Sequence, residues 1–168
     1  MELFDAIDSR SSAGRLTAPG PSPEEIDRLL RAADRAPDHG RIKPWRFMVL
    51  EGSARETFAT AAAAAKRSRV PTLTEEQVAA EREKFLRSPT ILVAACVADR
   101  AITKVPEIEQ VVAVGAAVEN LFLAAHGLGY GVMWKTGAAA YDPAVKALLG
   151  LQPSDHIVAI LHLGTRLK

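Results

Sequence analysis

The chain holds a single cysteine, Cys96, among 168 residues, so no intrachain disulfide can staple it and a disulfide-framed secreted fold is excluded. Cys96 lies in the apolar run Ile91-Leu92-Val93-Ala94-Ala95-Cys96-Val97, where a thiol packs as a small hydrophobe and is shielded from reaction. No sign of charge prevails either: 21 Lys and Arg face 20 Asp and Glu. Without a strong net field to concentrate a polyanion, nucleic acid is not an expected partner. Long apolar runs are also missing. The stretch from Val111 to Gly127 is interrupted by Glu119, Asn120 and His126 before the roughly 20 residues that a membrane span requires, so a buried core helix is expected and no membrane. Met1-Glu2-Leu3-Phe4-Asp5 lacks the basic and apolar regions of a secretory signal, which points to the cytoplasm. The four histidines, His39, His126, His156 and His162, show no metal-ligand spacing with one another or with Cys96, so no metal site is expected. Absent too are G-x-G-x-x-G after a strand, the G-x-x-x-x-G-K-[ST] loop and the G-x-S-x-G elbow, the commonest dinucleotide, nucleotide and hydrolase signatures.

What remains suits one domain over residues 1–168, with 48% hydrophobic residues to build its core. Helix starts stand out because a capping oxygen and a Glu or Gln three residues on satisfy first-turn amides. Ser22 to Glu25 opens a helix to about Ala36, Ser53 to Glu56 one to about Arg69, and Thr74 to Gln77 one that stops before Pro89. Asp142-Pro143 opens a short helix ending at Gly150. Two more helices carry no such box, one near Leu3 to Ser9 and one from about Pro106 to Leu128. The latter is apolar on most of its circumference, the pattern of a buried central helix. Phe47 to Leu50, Thr90 to Val97, Gly131 to Lys135 and Ile157 to Leu163 read as strands. The order ααβααβαβαβ implies an α+β sandwich, with helices packed on a small antiparallel or mixed central sheet.

Three clusters carry candidate chemistry. Ser9-Arg10-Ser11-Ser12-Ala13-Gly14-Arg15 offers guanidinium, hydroxyl and amide donors at a turn, a composition that suits a phosphate and equally an ordinary polar loop. Arg35-Ala36-Pro37-Asp38-His39-Gly40 is on its own a helix stop, with Pro37 ending the helix and Asp38 and Gly40 turning the chain. Gly129 to Gly137 contains Trp134-Lys135-Thr136-Gly137: glycines for close backbone approach, an aromatic surface and a cation, all usable by a planar cofactor. A tryptophan-anchored core strand between glycine turns explains the same residues. The segment Ala59 to Arg69, ending Lys66-Arg67-Ser68-Arg69, is either a plain solvated helix or a movable lid.

Taken in order, Arg10-Ser11-Ser12, Arg35 to His39 with Pro44-Trp45, Lys104-Val105-Pro106 with Glu109-Gln110, Trp134 to Gly137 and Leu163-Gly164-Thr165 form a set. The set resembles the nitroreductase family, in particular its short YdjA-like NAD(P)H group, from about Leu3 to Thr165. The resemblance implies a homodimer with FMN at the subunit interface. By that pattern Arg10, Ser11 and Ser12 hold the phosphate and ribityl end, Arg35 and His39 approach from the same subunit, and Trp134, Lys135, Thr136 and Gly137 reach the cofactor from the other. Ala124 to Gly129 resembles the family's nicotinamide segment. Two positions depart from the pattern: Ser11 replaces a second arginine and Lys135 replaces an arginine. Lysine keeps the charge and loses the bidentate fork, and the missing guanidinium at position 11 could be supplied by Arg15 or Arg166.

The activity implied is hydride transfer from NADH or NADPH to the flavin, then reduction of a small electron-poor acceptor such as a nitroaromatic or quinone. No protein nucleophile or general base is required, because the cofactor carries the chemistry. The alternative is a flavin-binding carrier or sensor without turnover, and beyond it a dimeric interaction protein without flavin.

Overall fold

The computed structural model describes residues 1–167. Its elements run α1 (Leu3–Ser9), β1 (Leu16–Thr17), α2 (Pro23–Ala33), β2 (Trp45–Leu50), α3 (Gly52–Arg69), α4 (Glu75–Leu86), β3 (Thr90–Cys96), α5 (Glu107–Gly127), β4 (Tyr130–Lys135), α6 (Pro143–Leu148) and β5 (His156–Arg166). Short 3₁₀ turns cover His39–Arg41 and Ala138–Tyr141. The expected order of helices and strands is present, with β1 and the two turns added. A two-residue strand has no periodicity to read.

Capping explains most helix starts. Ser22 and Glu25, and likewise Thr74 and Gln77, exchange side-chain and backbone hydrogen bonds in complete capping boxes. Asp142 Oδ1 accepts from the backbone N–H groups of Ala144 and Val145. Ser53 does not cap. Helix α3 begins one residue earlier at Gly52, whose φ of 50° turns the chain directly out of β2, a conformation that favours glycine.

All strand pairs are antiparallel. β5 lies between β4 on one side and β3 on the other, β2 pairs with β3 at the edge, and β1 joins β5 beyond the end of β3. Alternation along the strands separates two cores. Leu92, Ala94, Cys96, Ala159, Leu161 and Leu163 pack with α2 and α5, whereas Ile91, Val93, Ala95, Ile157 and Ile160 pack under α3, α4 and α6. The sheet is the middle layer of a helix, sheet, helix sandwich, the expected α+β class.

Helix α5 supplies the centre of the first core through Ala113, Val114, Ala117, Val118, Leu121, Phe122 and Ala125. It is long and apolar enough to cross a membrane, yet this face is seated on the sheet. Its opposite face is open to solvent in the single chain: Ile108 is 66% and Val112 63% exposed. Leu3, Phe4 and Ile7 of α1 are exposed beside it.

Candidate functional site

The end of β4 is the most chemically loaded corner. Met133 faces His162 and Lys135 faces Ile160 across the β4–β5 ladder, so Met133, Lys135 and His162 share the sheet face covered by α3 and α4. There they line two adjoining clefts. The larger, about 240 Å³, is walled by Ala62, Glu81, Lys84, Phe85, Lys135, Thr136, Gly137 and His162. The smaller holds Ala13, Gly14, Lys84, Arg87, Ser88, Lys135 and His162. Gly137 turns the chain away from β4 at φ 65° and ψ −161°, a region of backbone space that only glycine occupies readily.

Electrostatically the corner is short of anions. Burial lowers the pKa of Lys135 first, and the positive charges of Arg87 and Lys84 lower it further. Glu81 opposes the shift, but its carboxylate is already paired with Lys84 at 2.6 Å. Such crowding is relieved by an anionic or electron-rich ligand. On the floor lies His162, 4% exposed, with Nδ1 2.9 Å from Ser88 Oγ. Its Nε2 is buried without a hydrogen-bond partner among the described residues. Burial and the neighbouring Lys135 push its pKa down to about 4, so the ring is neutral at pH 7.

The Arg10 to Gly14 loop reaches the same corner. Ala13 N donates to Val132 O at 2.8 Å, tying the loop to β4. Arg10 lies 3.5 Å from Glu119 with its guanidinium 4.9 Å over the Phe122 ring. Ser11 and Ser12 are exposed. Arg166, at the end of β5, donates to Ser11 Oγ at 2.9 Å and to Ser11 O at 2.6 Å, so the guanidinium missing at position 11 is provided from β5. Arg15 makes no such contact with Ser11.

Two residues of β4 are accounted for by contacts within the chain. Trp134 points to the opposite sheet face from Lys135 and donates from its indole to Val158 O, so its ring does not wall the Lys135 cleft. Gly131 makes room for protein: a Cβ there would lie 2.6 Å from Leu16 Cδ2 and 2.8 Å from Ala13 Cβ, so packing explains this glycine. The loop after Arg10 and the end of β4 meet within one chain through the Ala13 to Val132 hydrogen bond. His39 lies elsewhere, its Nδ1 2.6 Å from Glu109 near the start of α5. Arg10 meets Glu119, ten residues along and about 15 Å away at 1.5 Å per residue.

Arg35 lines a cleft of about 450 Å³ with Asp34, Asp38, Arg41, Lys43 and Trp45. Asp34 is held there by Lys43 at 2.5 Å and the Trp45 indole at 3.1 Å. Arg35 also lines a groove of about 500 Å³ with Ala6, Asn120, Ala124 and Gly127. The Ala124 to Gly129 segment is therefore the end of α5 beneath α1, where His126 Nε2 meets Ser9 Oγ at 2.8 Å. Glu109 and Gln110 have separate duties. Gln110, 1% exposed, receives Asp99 N and donates to Asp99 O and Val105 O, fixing the loop before α5.

Lys84, Arg87, Ser88 and His162 escaped the sequence reading. Lys84 lies in the last turn of α4, with Arg87 and Ser88 just beyond it, where basic residues are common, and a lone histidine in an apolar strand carries no signal until the register places it opposite Met133.

The family model of the nitroreductase family matches residues 7–165. The chain belongs to the nitroreductase family. It is 35% identical over 168 residues to the Escherichia coli protein named "Putative NAD(P)H nitroreductase YdjA", covering 98% of this chain and 88% of that one. The solved nitroreductase-like family protein from Bacillus cereus superposes with a TM-score of 0.84 at 27% identity, covering 100% of this chain and 87% of that one. A nitroreductase-family fold from Desulfovibrio desulfuricans, solved in complex with FMN, gives 0.77 at 24% identity over 100% of this chain and 88% of that one. For this nitroreductase family member the fold and the ordered motifs therefore agree.

Proposed function

We propose that the protein is a cytoplasmic, FMN-dependent oxidoreductase that takes hydride from NADH or NADPH and reduces small electron-poor acceptors such as nitroaromatics or quinones. The observation that carries this reading is the cation-rich corner at the end of β4, with the unpaired polar nitrogen of His162 in its floor. Lys84 is paired with Glu81, while Arg87 and Lys135 offer positive charge with no carboxylate partner among the described residues. A planar ring with an electron-rich edge, joined to a phosphate, fits that chemistry.

Arg10, Ser11, Ser12 and Arg166 would hold the phosphate with charge-assisted hydrogen bonds. Lys135, Thr136 and Gly137 would hold the ring, and Lys135 favours negative charge gained there on reduction. FMN, when bound, supplies the group that accepts and passes on the hydride. The protein's part is binding, orientation and exclusion of water by the α3–α4 layer.

The site is completed by a homodimer. A two-fold axis crossing the open face of α5 near its midpoint, about Gly115, would superpose one chain's Glu109 end on the other's Glu119 end. His39 and Arg35 of the partner subunit would then approach the Arg10 corner, and the exposed apolar residues of α1 and α5 would be covered.

The direct test is the visible spectrum of freshly purified protein, mass analysis of any flavin released, and anaerobic addition of NADH and NADPH in turn. Released FMN, with bleaching by either nucleotide, supports the oxidoreductase. FMN that neither nucleotide bleaches favours the carrier or sensor, and a colourless protein that cannot be reconstituted overturns the flavin reading.

A further inference from the structure

We propose that His162 is a cofactor-contacting residue whose Nε2 donates a neutral hydrogen bond to an acceptor on the polar edge of the flavin held beside Lys84 and Lys135. The inference rests on the FMN reading above and adds to it a residue from inside a core strand.

The ring is fixed at one end only. Ser88, 1% exposed, holds Nδ1 at 2.9 Å, and Ser88 is itself anchored where its carbonyl accepts from Arg55 Nη1 at 2.5 Å. Phe85 packs against the ring with centroids 5.6 Å apart. The opposite nitrogen has no partner among the described residues, although His162 lines both clefts where they meet. A buried polar atom left unpaired is costly, so such an atom beside a cleft marks a place where a ligand completes the bonding.

The neighbours decide which way that bond runs. The cations Lys84, Arg87 and Lys135 are donors only, so the ligand edge they select carries acceptors. Nε2 facing the same edge must then carry the proton. Nδ1 becomes the acceptor, and the Ser88 hydroxyl is free to donate to it. Because the ring is neutral, it adds a directed hydrogen bond without adding to the repulsion among the cations.

Two substitutions separate this role from a packing role. In His162→Gln the side-chain amide reaches the position of Nε2, whereas in His162→Asn it reaches only that of Nδ1 and the Ser88 tether. FMN affinity of the apoprotein is read from flavin fluorescence quenching, with folding checked by thermal melting. Loss of one such bond weakens binding roughly five- to tenfold. That loss is expected for H162N, with H162Q remaining within about twofold of the unsubstituted chain. Unchanged affinity in H162N, or an equal loss in H162Q, overturns the assignment and leaves the ring as packing for Phe85 and Ser88. Should H162N fail to fold, Ser88→Ala is the second probe. It frees the tautomer and is expected to weaken FMN two- to fourfold, and an unaltered affinity there rejects the donor role. Failure of the unsubstituted chain to bind FMN would instead sink the parent reading and this inference together.

Discussion

At the scale of single residues, burial decides what each titratable group can do. Cys96 is fully buried, and desolvation, aided by the negative charges of Glu107 and Asp155, pushes its thiol up to about 11, so it serves as core filler. His162 answers burial in the opposite direction, held at about 4 against an ordinary value of 6.5. With the folded value below the unfolded one, the unfolded chain binds the extra proton between about pH 6.5 and 4. Stability from this group is therefore intact at pH 7 and is lost as the pH falls through that window. The shift corresponds to at most about 3 kcal/mol. Urea unfolding at pH 7 and pH 4.5 should show that loss, and H162Q should reduce it by about 2 kcal/mol. An identical pH difference in the two proteins would mean that the ring is not held neutral. The pressure comes first from burial and then from Lys135 on β4, with Lys84 and Glu81 of α4 on the opposite wall of the cleft. Residue by residue, Cys96 was legible because its apolar run announces burial, whereas His162 was not, since its environment is assembled from β4, β5 and α4.

At the scale of elements, the sequence speaks through local rules and falls silent where a contact is long-range. The boxes at Ser22 and Thr74 and the cap at Asp142 lie within four residues of their partners, so they could be read directly. β1 could not: Leu16 and Thr17 are a strand only because Arg166 and Thr165 pair with them. The replacement of the missing guanidinium at Ser11 by Arg166 spans the chain for the same reason, although the residue type itself was open to inspection. Gly164 shows what this junction demands. A Cβ there would lie 2.6 Å from Pro89 Cδ and 2.8 Å from Thr17 backbone O, so β1, β5 and the start of β3 converge too closely for any side chain. Gly164→Ala should cost about 1–3 kcal/mol as overpacking, lowering Tm by roughly 3–10 °C for a chain of this size. Calorimetry or a dye-based melt suffices to check it, and an unchanged Tm would show that the junction can relax.

At the scale of the whole molecule, a single chain leaves two matters unfinished that one association would resolve. The corner built from Ala13, Gly14, Lys135 and His162 lacks His39, which is held at Glu109, some 15 Å along α5 from the Glu119 that Arg10 meets, and the outer faces of α1 and α5 expose Leu3, Phe4, Ile7, Ile108 and Val112. The resemblance implied a shared site with Arg35 and His39 on the same subunit as Arg10, an allotment that only the association itself can test, because residues of one chain such as Arg10 and His39 need not meet within it. Charge placed in the open face should separate assembly from folding. Ile108→Glu with Val112→Glu touches neither the sheet nor the Lys135 cleft, so far-UV circular dichroism should stay the same. Light scattering after size exclusion should report a monomer, and FMN affinity should fall by more than tenfold as the partner's contribution is lost. Leu148→Glu on α6, at a position also exposed (46%) but on the other side of the sheet, should leave both measurements unchanged. A double variant that remains dimeric, or a monomer that binds FMN as tightly as before, would place the complete site within one chain and return His39 to the role its contact with Glu109 already gives it.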